Sequence, residues 1–507
     1  MTTGGRGRTK GGSEVFDPLG PLPEHRSAIE ASAGTGKTHA LATLATRFVA
    51  EAGVAPSELL VVTFTRAAAN ELRAKVRQRL VETVDRMESA SPSPDDDLDG
   101  LAAFLARDDA EARCRRLRQA VTEFDAATVT TIHGFAFQVR AALGAGSGVD
   151  AGDRLLPDNL PLLRAAATDV LAAASVGSSS ADDLPDLDSL VRLADQLDGR
   201  PDLVTFPAPD DPAAPDNLAF LGGLVADTIE LAGRRRRAAR TVSFDDILTR
   251  FRSVLTDSAV GRGATRYLAS RYRAVLIDEF QDTDPVQWDI FSTLFGGTEQ
   301  AEGPSRLVLV GDPKQSIYGF RGADVHTYRR AVGDPHTTRR VLATNWRSDG
   351  ALLESLASLF TGVSFGEGFE FHPVLAAGGH EGRRALDPDG RPLPALSLRL
   401  AIGPGIAHQK NSPQFVLVTA AREAILADLA GQLRGLLEDA TIPDERGTDL
   451  RPVRPGDVAV LVPRHQDALD VQAALAGVRI PAVVTRAGSA LESEAASQLR
   501  WLLHAME

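Results

Sequence analysis

The sequence predicts an α/β protein in which a parallel-sheet domain is interrupted by a helical insertion and followed by a second, incomplete α/β domain. Three observations support this. A strand, a glycine-rich turn, a helix, a second strand and a second helix follow each other closely from residue 27 to 84, an order typical of a parallel sheet. Apolar runs of the buried-strand type return at 273–277 and 306–310. Between these two regions, residues from about 150 to 240 show helical spacing without a buried strand run.

Hydrophobic periodicity gives each element in turn. In the first region we expect a strand from residue 27, a helix over 38–52, a strand over 59–64, a helix over 67–84 and a solvated loop over 89–100. In the last region we expect strands at Leu396–Ile402, Val458–Val462 and Ile480–Val484, and helices over 420–437 and 466–476.

The composition is that of a globular protein. The chain has 507 residues, 43% of them hydrophobic and 24% charged, which suggests about three domains at ~100–200 residues each. No apolar run approaches the ~20 residues of a transmembrane helix, and the Gly-rich basic segment 1–15 resembles a flexible tail rather than a secretory signal. The single cysteine, Cys114, excludes an internal disulfide or a cysteine-rich metal site. We expect a cytoplasmic protein that binds no membrane.

The charge distribution limits the kind of nucleic-acid contact to expect. The net charge of −13 argues against a surface that attracts nucleic acid as a whole, but it allows a local basic track. We interpret the run Arg234–Arg237 as a solvated helix face, with phosphate contact as the less favoured alternative. Only five of the 55 basic residues are lysines, and Lys37 and Lys314 lie within the motifs described below.

The segment from Ala31 to Thr38 predicts a phosphate-binding loop. It fits the pattern G-x-x-x-x-G-K-[ST] except that Ala31 replaces the first glycine. The glycines let main-chain N–H groups turn toward phosphate oxygens, Lys37 would reach the β and γ phosphates, and Thr38 would open a helix and ligate Mg²⁺. The predicted ATP-contacting residues are Ala31, Ser32, Ala33, Gly34, Thr35, Gly36, Lys37 and Thr38. A glycine-rich turn with a chance Lys-Thr pair is the alternative, but a strand before the segment and a helix after it favour the phosphate loop.

Two adjacent acids directly follow the strand at 273–277. Asp278 could hold Mg²⁺ together with Thr38, and Glu279 could polarise the attacking water. A surface acid pair is the alternative, and the upstream phosphate loop favours catalysis. Because Lys37 and Asp278 lie far apart in sequence, the intervening chain must contain an inserted domain.

Several ordered motifs then resemble the superfamily 1A DNA helicases of the UvrD/Rep type. The Glu-Ala-Ser-Ala-Gly-Thr, Asp-Pro-Lys-Gln and Asn-Trp-Arg-Ser forms are similar to those of the RecB subgroup, the beta subunits of exodeoxyribonuclease V. The matching segments are 29–38 (motif I), 61–72 (motif Ia), 131–135, 244–248, 277–284 (motif II), 310–324 (motif III) and 344–348 (motif IV).

The resemblance implies a division of the chain. Residues 16–148 and 241–345 would form a RecA-like phosphate-loop NTPase domain (1A), and 149–240 a helical insertion (1B). Residues 346–490 would be the first part of a second RecA-like domain (2A), and 491–507 the start of subdomain 2B. Motifs V and VI and the nuclease domain of RecB are absent from the sequence given.

The resemblance also implies residue roles. Gln315 would sense the γ-phosphate, Arg347 would contact it, and Asp278 and Glu279 would be catalytic. The residues implied to contact DNA are Thr63, Thr65, His133, Tyr318, Phe320 and Arg321. The family's adenine-reading glutamine has no counterpart in Leu19–Arg26, which leaves adenine recognition unassigned.

The implied function is a DNA helicase that hydrolyses ATP with Mg²⁺, moves 3′ to 5′ on single-stranded DNA, separates duplex DNA in double-strand-break repair, and works with RecC- and RecD-type subunits. Two alternatives stay open: a UvrD/Rep-like repair helicase, and a truncated fragment that binds ATP and DNA without turnover.

Overall fold

The computed structural model describes most of the chain, and the structural statements below concern that part alone. The described residues are 14–89, 100–143, 153–156, 158–177, 184–200, 216–257, 259–296, 305–319, 322–365, 369, 371–378, 384–401, 406–409, 412–444, 449–485 and 494–506. The contact pattern separates two compact units. The first comprises Met1–Trp346 and Gly362–Val374, and the second comprises Arg347–Thr361 and Leu375–Glu507.

A seven-stranded parallel sheet is the centre of the first unit. The unit's main strands are β1 (Glu14–Val15), β2 (Arg26–Glu30), β3 (Leu59–Thr63), β4 (Thr128–Thr131), β5 (Arg154–Leu155), β6 (Thr241–Val242), β7 (Ala274–Ile277), β8 (Arg306–Gly311) and β9 (Thr337–Val341). The sheet order is β1-β9-β2-β8-β7-β3-β4, and every neighbouring pair is parallel. The predicted fold class and the four apolar strands of this domain are confirmed. The sequence reasoning missed β1, β4 and β9, which are short or carry polar residues.

Helices cover both faces of the sheet. The helices of the first unit are α1 (Lys37–Ala50), α2 (Arg66–Glu88), α3 (Leu101–Leu105), α4 (Ala110–Thr122), α5 (Ile132–Leu143), α6 (Leu160–Gly177), α7 (Leu187–Leu197), α8 (Asp216–Ala238), α9 (Phe244–Asp257), α10 (Ala259–Arg271), α11 (Pro285–Phe295) and α12 (Val325–Gly333). One hydrophobic core lies between the sheet and α1 to α4, and a second contains α5 and α9 to α12. Alternate residues of β3 enter opposite cores, as a strand's period of two requires. The predicted helices beginning near 38 and 67 are confirmed by α1 and α2.

The segment predicted as a helical insertion contains α6, α7 and α8. These helices pack around their own apolar core, and β5 and β6 pair in parallel near its two ends. The solvated-face interpretation of the basic run is wrong for Arg236, which is only 5% exposed. Its guanidinium binds Asp198 with N–O distances of 2.6 and 3.0 Å and contacts Asp246 at 3.0 Å. Burying this charge requires such partners, so Arg236 holds the insertion to the start of α9.

The second unit is built mainly from helices and short antiparallel strand pairs. Its helices are α13 (Gly350–Phe360), α14 (Val418–Asp439), α15 (His465–Gly477) and α16 (Glu494–Met506). The remaining short strands of the chain are β10 (Thr344–Asn345), β11 (Leu375–Ala376), β12 (His408–Gln409), β13 (Ser412–Val416), β14 (Thr441–Pro443) and β15 (Leu450–Pro452). Helices α14 and α15 confirm two predictions and pack together around a small apolar core.

The three strands predicted in this unit are wrong for the residues described. Residues 396–401, 458–462 and 480–484 form no strand. An apolar run forms a strand only when its backbone pairs with a second strand. In the described part of the unit, no strand pairs with these three runs. Several of their aliphatic side chains are exposed, as with Leu461 at 93%. Among the described helices, none combines the length and the apolar character needed to span a membrane.

Candidate nucleotide and nucleic-acid site

The predicted phosphate loop forms the turn between β2 and α1. Gly34 and Gly36 both have φ of 80°, a left-handed conformation that glycine adopts without the steric cost of a Cβ. Gly36 is the residue before α1 and has no side chain with which to cap the helix. The first N–H groups of α1, which have no partner within the helix, can therefore bind a phosphate held in the loop. The loop is held by Asn345 Nδ2, which donates to the Ala33 carbonyl at 2.9 Å, and by Trp346 N, which donates to the Gly34 carbonyl at 2.8 Å.

The two predicted acids face this loop from the carboxyl end of β7. Lys37 Nζ contacts Glu279 Oε2 directly and lies 3.9 Å from Asp278 Oδ1. Glu279 has φ of 51°, an uncommon left-handed conformation for a residue with a side chain. Such strain persists only where the surroundings impose it. The structure therefore brings Lys37 to the adjacent acids Asp278 and Glu279, which lie more than 240 positions after it in sequence.

Burial raises the pKa of Asp278 to about 6. The charge of Lys37 lowers this pKa, whereas the neighbouring Glu279 carboxylate raises it further. Burial likewise raises the pKa of Asp282 to about 6, with Glu279 again adding to it. Asp278 is 8% exposed, and its Oδ1 has no hydrogen-bond partner in the described part of the chain. A buried carboxylate oxygen without a hydrogen-bond donor is chemically suited to bind a cation.

The chemistry of this oxygen fits Mg²⁺. Mg²⁺ is usually held by one or two carboxylates together with phosphate oxygens and water, rather than by an all-protein cage. Within the described residues, no group of three or more acidic, histidine or cysteine side chains is placed to hold a metal. Asp278 and the hydroxyl of Thr38, at the start of α1, would supply the protein ligands.

Gln315, the predicted phosphate sensor, lies in the turn after β8. Its Nε2 donates to Asp312 Oδ2 at 2.8 Å. Asp312 N in turn donates to Gln281 Oε1 at 2.9 Å, and Gln281 Nε2 donates to Glu279 Oε2 at 2.7 Å. A Cβ at Gly311 would lie 2.6 Å from Gln281 Oε1, so glycine leaves room for this amide. Hydrogen bonds thus join Gln315 to Glu279.

A cavity of about 640 Å³ opens beside the phosphate loop. Its lining includes Thr35 and Gly36 of the loop, with Phe16, Leu19, His39 and Trp346. This volume and mixed apolar and polar lining are typical of a small-molecule site. The sequence reasoning did not select Phe16, His39 or Trp346, although Trp346 lies within a quoted motif. Arg26, the last residue of the segment that lacks the family's glutamine, binds Asp334 and the Gly296 carbonyl, each at 2.8 Å.

Two aromatic residues from different elements form a pair. Phe64 directly follows β3, and Tyr318 follows the turn after β8. The rings of Phe64 and Tyr318 are stacked with centroids 5.2 Å apart. Tyr318 was predicted from the sequence, whereas Phe64 was not selected, although it stands between Thr63 and Thr65. Phe320 and Arg321 lie outside the described residues.

The other predicted DNA-contacting residues have different surroundings. Thr63 is fully buried, and Thr65 caps α2 by accepting a hydrogen bond from Ala68 N at 3.1 Å. His133 packs edge-on against Phe244, and burial lowers its pKa, which favours the neutral ring. His133 also lines a cavity of about 600 Å³ with Phe64 and Phe244. Arg347 is the first residue of the second unit and is exposed.

Comparison with known proteins gives the family. A sequence model described as the UvrD/REP helicase N-terminal domain matches residues 19–336. The chain belongs to the UvrD/REP helicase family. This agrees with the phosphate loop and acids at the ends of β2 and β7.

Among individual relatives, the chain is similar to proteins named RecBCD enzyme subunit RecB. It is 37% identical to that of Mycolicibacterium smegmatis over 504 residues, covering 97% of this chain and 43% of the relative. The corresponding Mycobacterium tuberculosis protein is 36% identical over 499 residues, with the same shares covered. The Escherichia coli protein is 27% identical over 620 residues, covering 97% of this chain and 51% of the relative. The chain thus spans about half the length of these relatives.

Proposed function

We propose that this chain is the ATP-hydrolysing motor of a RecB-type DNA helicase. The observation that carries the proposal is the contact of Lys37, at the start of α1, with Glu279 at the end of β7. A lysine of a phosphate loop and an acid positioned to polarise water are two of the parts that phosphoryl transfer to water uses. The similarity to proteins named RecB supports the helicase assignment.

In the proposed reaction, ATP binds with its phosphates against the N-terminus of α1 and its base in the cavity lined by His39 and Trp346. Lys37 leaves Glu279 to bind the β and γ phosphates, which frees the Glu279 carboxylate to polarise the attacking water. Mg²⁺, held by Thr38 and Asp278, would neutralise charge on the phosphate oxygens. Gln315 contacts the γ-phosphate. The role of Arg347 at the same phosphate rests on its motif alone.

Single-stranded DNA is the proposed track. Phe64 and Tyr318 supply aromatic faces on which unpaired bases stack, an interaction available only in single strands. Gln315 precedes Tyr318 by three residues. A movement of Gln315 on loss of the γ-phosphate would therefore be passed to the aromatic pair through this short segment. We propose 3′ to 5′ movement, unwinding of duplex DNA in double-strand-break repair, RecC- and RecD-type partner subunits and a cytoplasmic location, all by analogy with the RecB subgroup.

The test is ATP turnover by the purified chain with and without single-stranded DNA. We expect turnover that DNA stimulates and that Lys37→Ala abolishes. The matched control is Lys75→Ala, which alters an exposed lysine on α2 and should leave turnover unchanged. DNA-independent binding of ATP without turnover would instead support the fragment alternative.

A further inference from the structure

A second lysine, Lys314, connects the turn that contains Gln315 to β2, the strand that leads into the phosphate loop. Lys314 Nζ contacts Glu30 Oε1 at 2.7 Å and Asp312 Oδ1 at 2.8 Å. Glu30 is the last residue of β2, and Asp312 directly follows β8. Although burial acts to lower it, the two carboxylates raise the pKa of Lys314 above its ordinary value. Lys314 therefore stays charged and joins the ends of two adjacent strands.

Asp312 is shared between this lysine and the proposed sensor. Its Oδ1 accepts from Lys314 Nζ and from Lys314 N at 3.1 Å, while its Oδ2 accepts from Gln315 Nε2 at 2.8 Å. The Gln315 amide has two N–H donors, so one holds Asp312 and the other is available to a phosphate oxygen. The direction of the Gln315 side chain thus depends on the Asp312 carboxylate, and that carboxylate is oriented by Lys314.

We propose that Lys314 is a positioning residue that fixes Gln315 for recognition of the terminal phosphate of the nucleotide. This inference rests on the proposed role of Gln315 as the γ-phosphate sensor. A lysine suits the position because its compact ammonium presents three donors, which two carboxylates approaching from different strands can share. Of the 55 basic residues 50 are arginine, so the choice of lysine here departs from the chain's general usage.

The test is the ratio of the affinities for a non-hydrolysable ATP analogue, adenylyl imidodiphosphate, and for ADP. A contact with the terminal phosphate changes this ratio, whereas a contact with the base, the sugar or the other phosphates changes both affinities alike. We expect Lys314→Met to lower the preference for the ATP analogue about tenfold, as loss of a charge-assisted hydrogen bond would, and to leave ADP affinity unchanged. Lys314→Arg should recover part of the preference. Lys75→Met is the matched control and should not change the ratio.

A double-mutant cycle separates positioning from a general loss of structure. Gln315→Ala should lower the ratio by itself, and adding Lys314→Met should lower it little further, because both changes remove the same contact. Because Lys314→Met leaves two carboxylates without their cation, the milder Glu30→Gln variant is measured in parallel and should shift the ratio in the same direction.

Three outcomes contradict the proposal, and they differ in what they overturn. If Gln315→Ala leaves the ratio unchanged, the sensor role fails and the inference about Lys314 fails with it. If Gln315→Ala lowers the ratio but Lys314→Met and Glu30→Gln do not, only the inference about Lys314 is wrong. An equal loss of affinity for ADP and for the ATP analogue in the Lys314 variants would show a general structural role.

Discussion

Lys37 at the start of α1 contacts Glu279 at the end of β7. The lysine that would bind phosphate thus neutralises the carboxylate that would polarise water. In the proposed reaction, nucleotide phosphates would compete with Glu279 for Lys37, so binding of ATP would release the carboxylate. Under this proposal, the Glu279 carboxylate would become free to act as the general base only when ATP is bound.

The raised pKa of Asp278, about 6, predicts a pH dependence of Mg²⁺-nucleotide binding. Below this pKa Asp278 is protonated and is a poor metal ligand, so affinity for Mg²⁺-nucleotide should fall as the pH drops from 7.5 through 6. Asp278→Asn should bind weakly at both pH values and lose this dependence. Asp282 also has a pKa of about 6, so Asp282→Asn is the control and should keep the dependence. A pH-independent wild-type affinity over this range would contradict the assignment of Asp278.

The same pKa has a consequence for folding. Because the folded-state pKa of Asp278 is higher than that of the unfolded chain, the folded protein binds more protons between pH 4 and 6. The contribution of Asp278 to the free energy of unfolding should therefore fall as the pH rises through 6. Urea denaturation at pH 5.5 and 7.5 measures it. Asp278→Asn should stabilise the nucleotide-free protein more at pH 7.5 than at pH 5.5.

Removal of the aromatic pair should weaken binding of single-stranded DNA. Phe64→Ala and Tyr318→Ala should each cost about 1–3 kcal/mol if a base stacks on the rings. Because the two rings also stack on each other, the effects should not add fully. Tyr267→Ala, which removes an exposed aromatic ring of α10, is the matched control for fluorescence-anisotropy titrations. Wild-type affinity in both variants would exclude this surface as the DNA track.

Arg236 should be important for stability and not for DNA binding. Arg236→Met leaves Asp198 and Asp246 buried without their cation, which should lower the free energy of unfolding by about 3–5 kcal/mol. Arg234→Met removes an exposed pair with Glu230 and should cost less than about 1 kcal/mol. Chemical denaturation compares the two variants. A small cost for Arg236→Met would contradict the structural role.

The sequence predicted what depends on local pattern. The phosphate loop at 31–38 and the acids at 278 and 279 could be placed because glycines, strand runs and helix starts are local signals, and parallel strands bring their carboxyl ends to one edge of a sheet. The shared carboxylate of Asp312 could not be predicted, because its partners Lys314 and Gln315 acquire meaning only once Glu30 lies beside them. Trp346 and Phe64 were missed because each lines a cavity together with residues that are distant in sequence.

The failures in the second unit have another cause. Residues 396–401, 458–462 and 480–484 are apolar enough to predict buried strands, but a strand also needs a neighbouring strand. The sequence pattern shows that a run is apolar, but it does not show whether a neighbouring strand is present. Arg236 shows the reverse error, since a charged run predicted solvent exposure while the fold supplies Asp198 and Asp246 as buried partners.

We propose that Glu279 polarises the water that attacks ATP, and a single substitution tests this role. Glu279→Gln removes the base and frees Lys37, so we expect the affinity for adenylyl imidodiphosphate to be unchanged or higher. DNA-stimulated ATP turnover should fall by about 10²–10⁴-fold, the usual contribution of a general base. Both quantities are measured on the same preparation, with the wild-type chain as reference. Turnover at the wild-type rate with intact binding would show that Glu279 is not the general base.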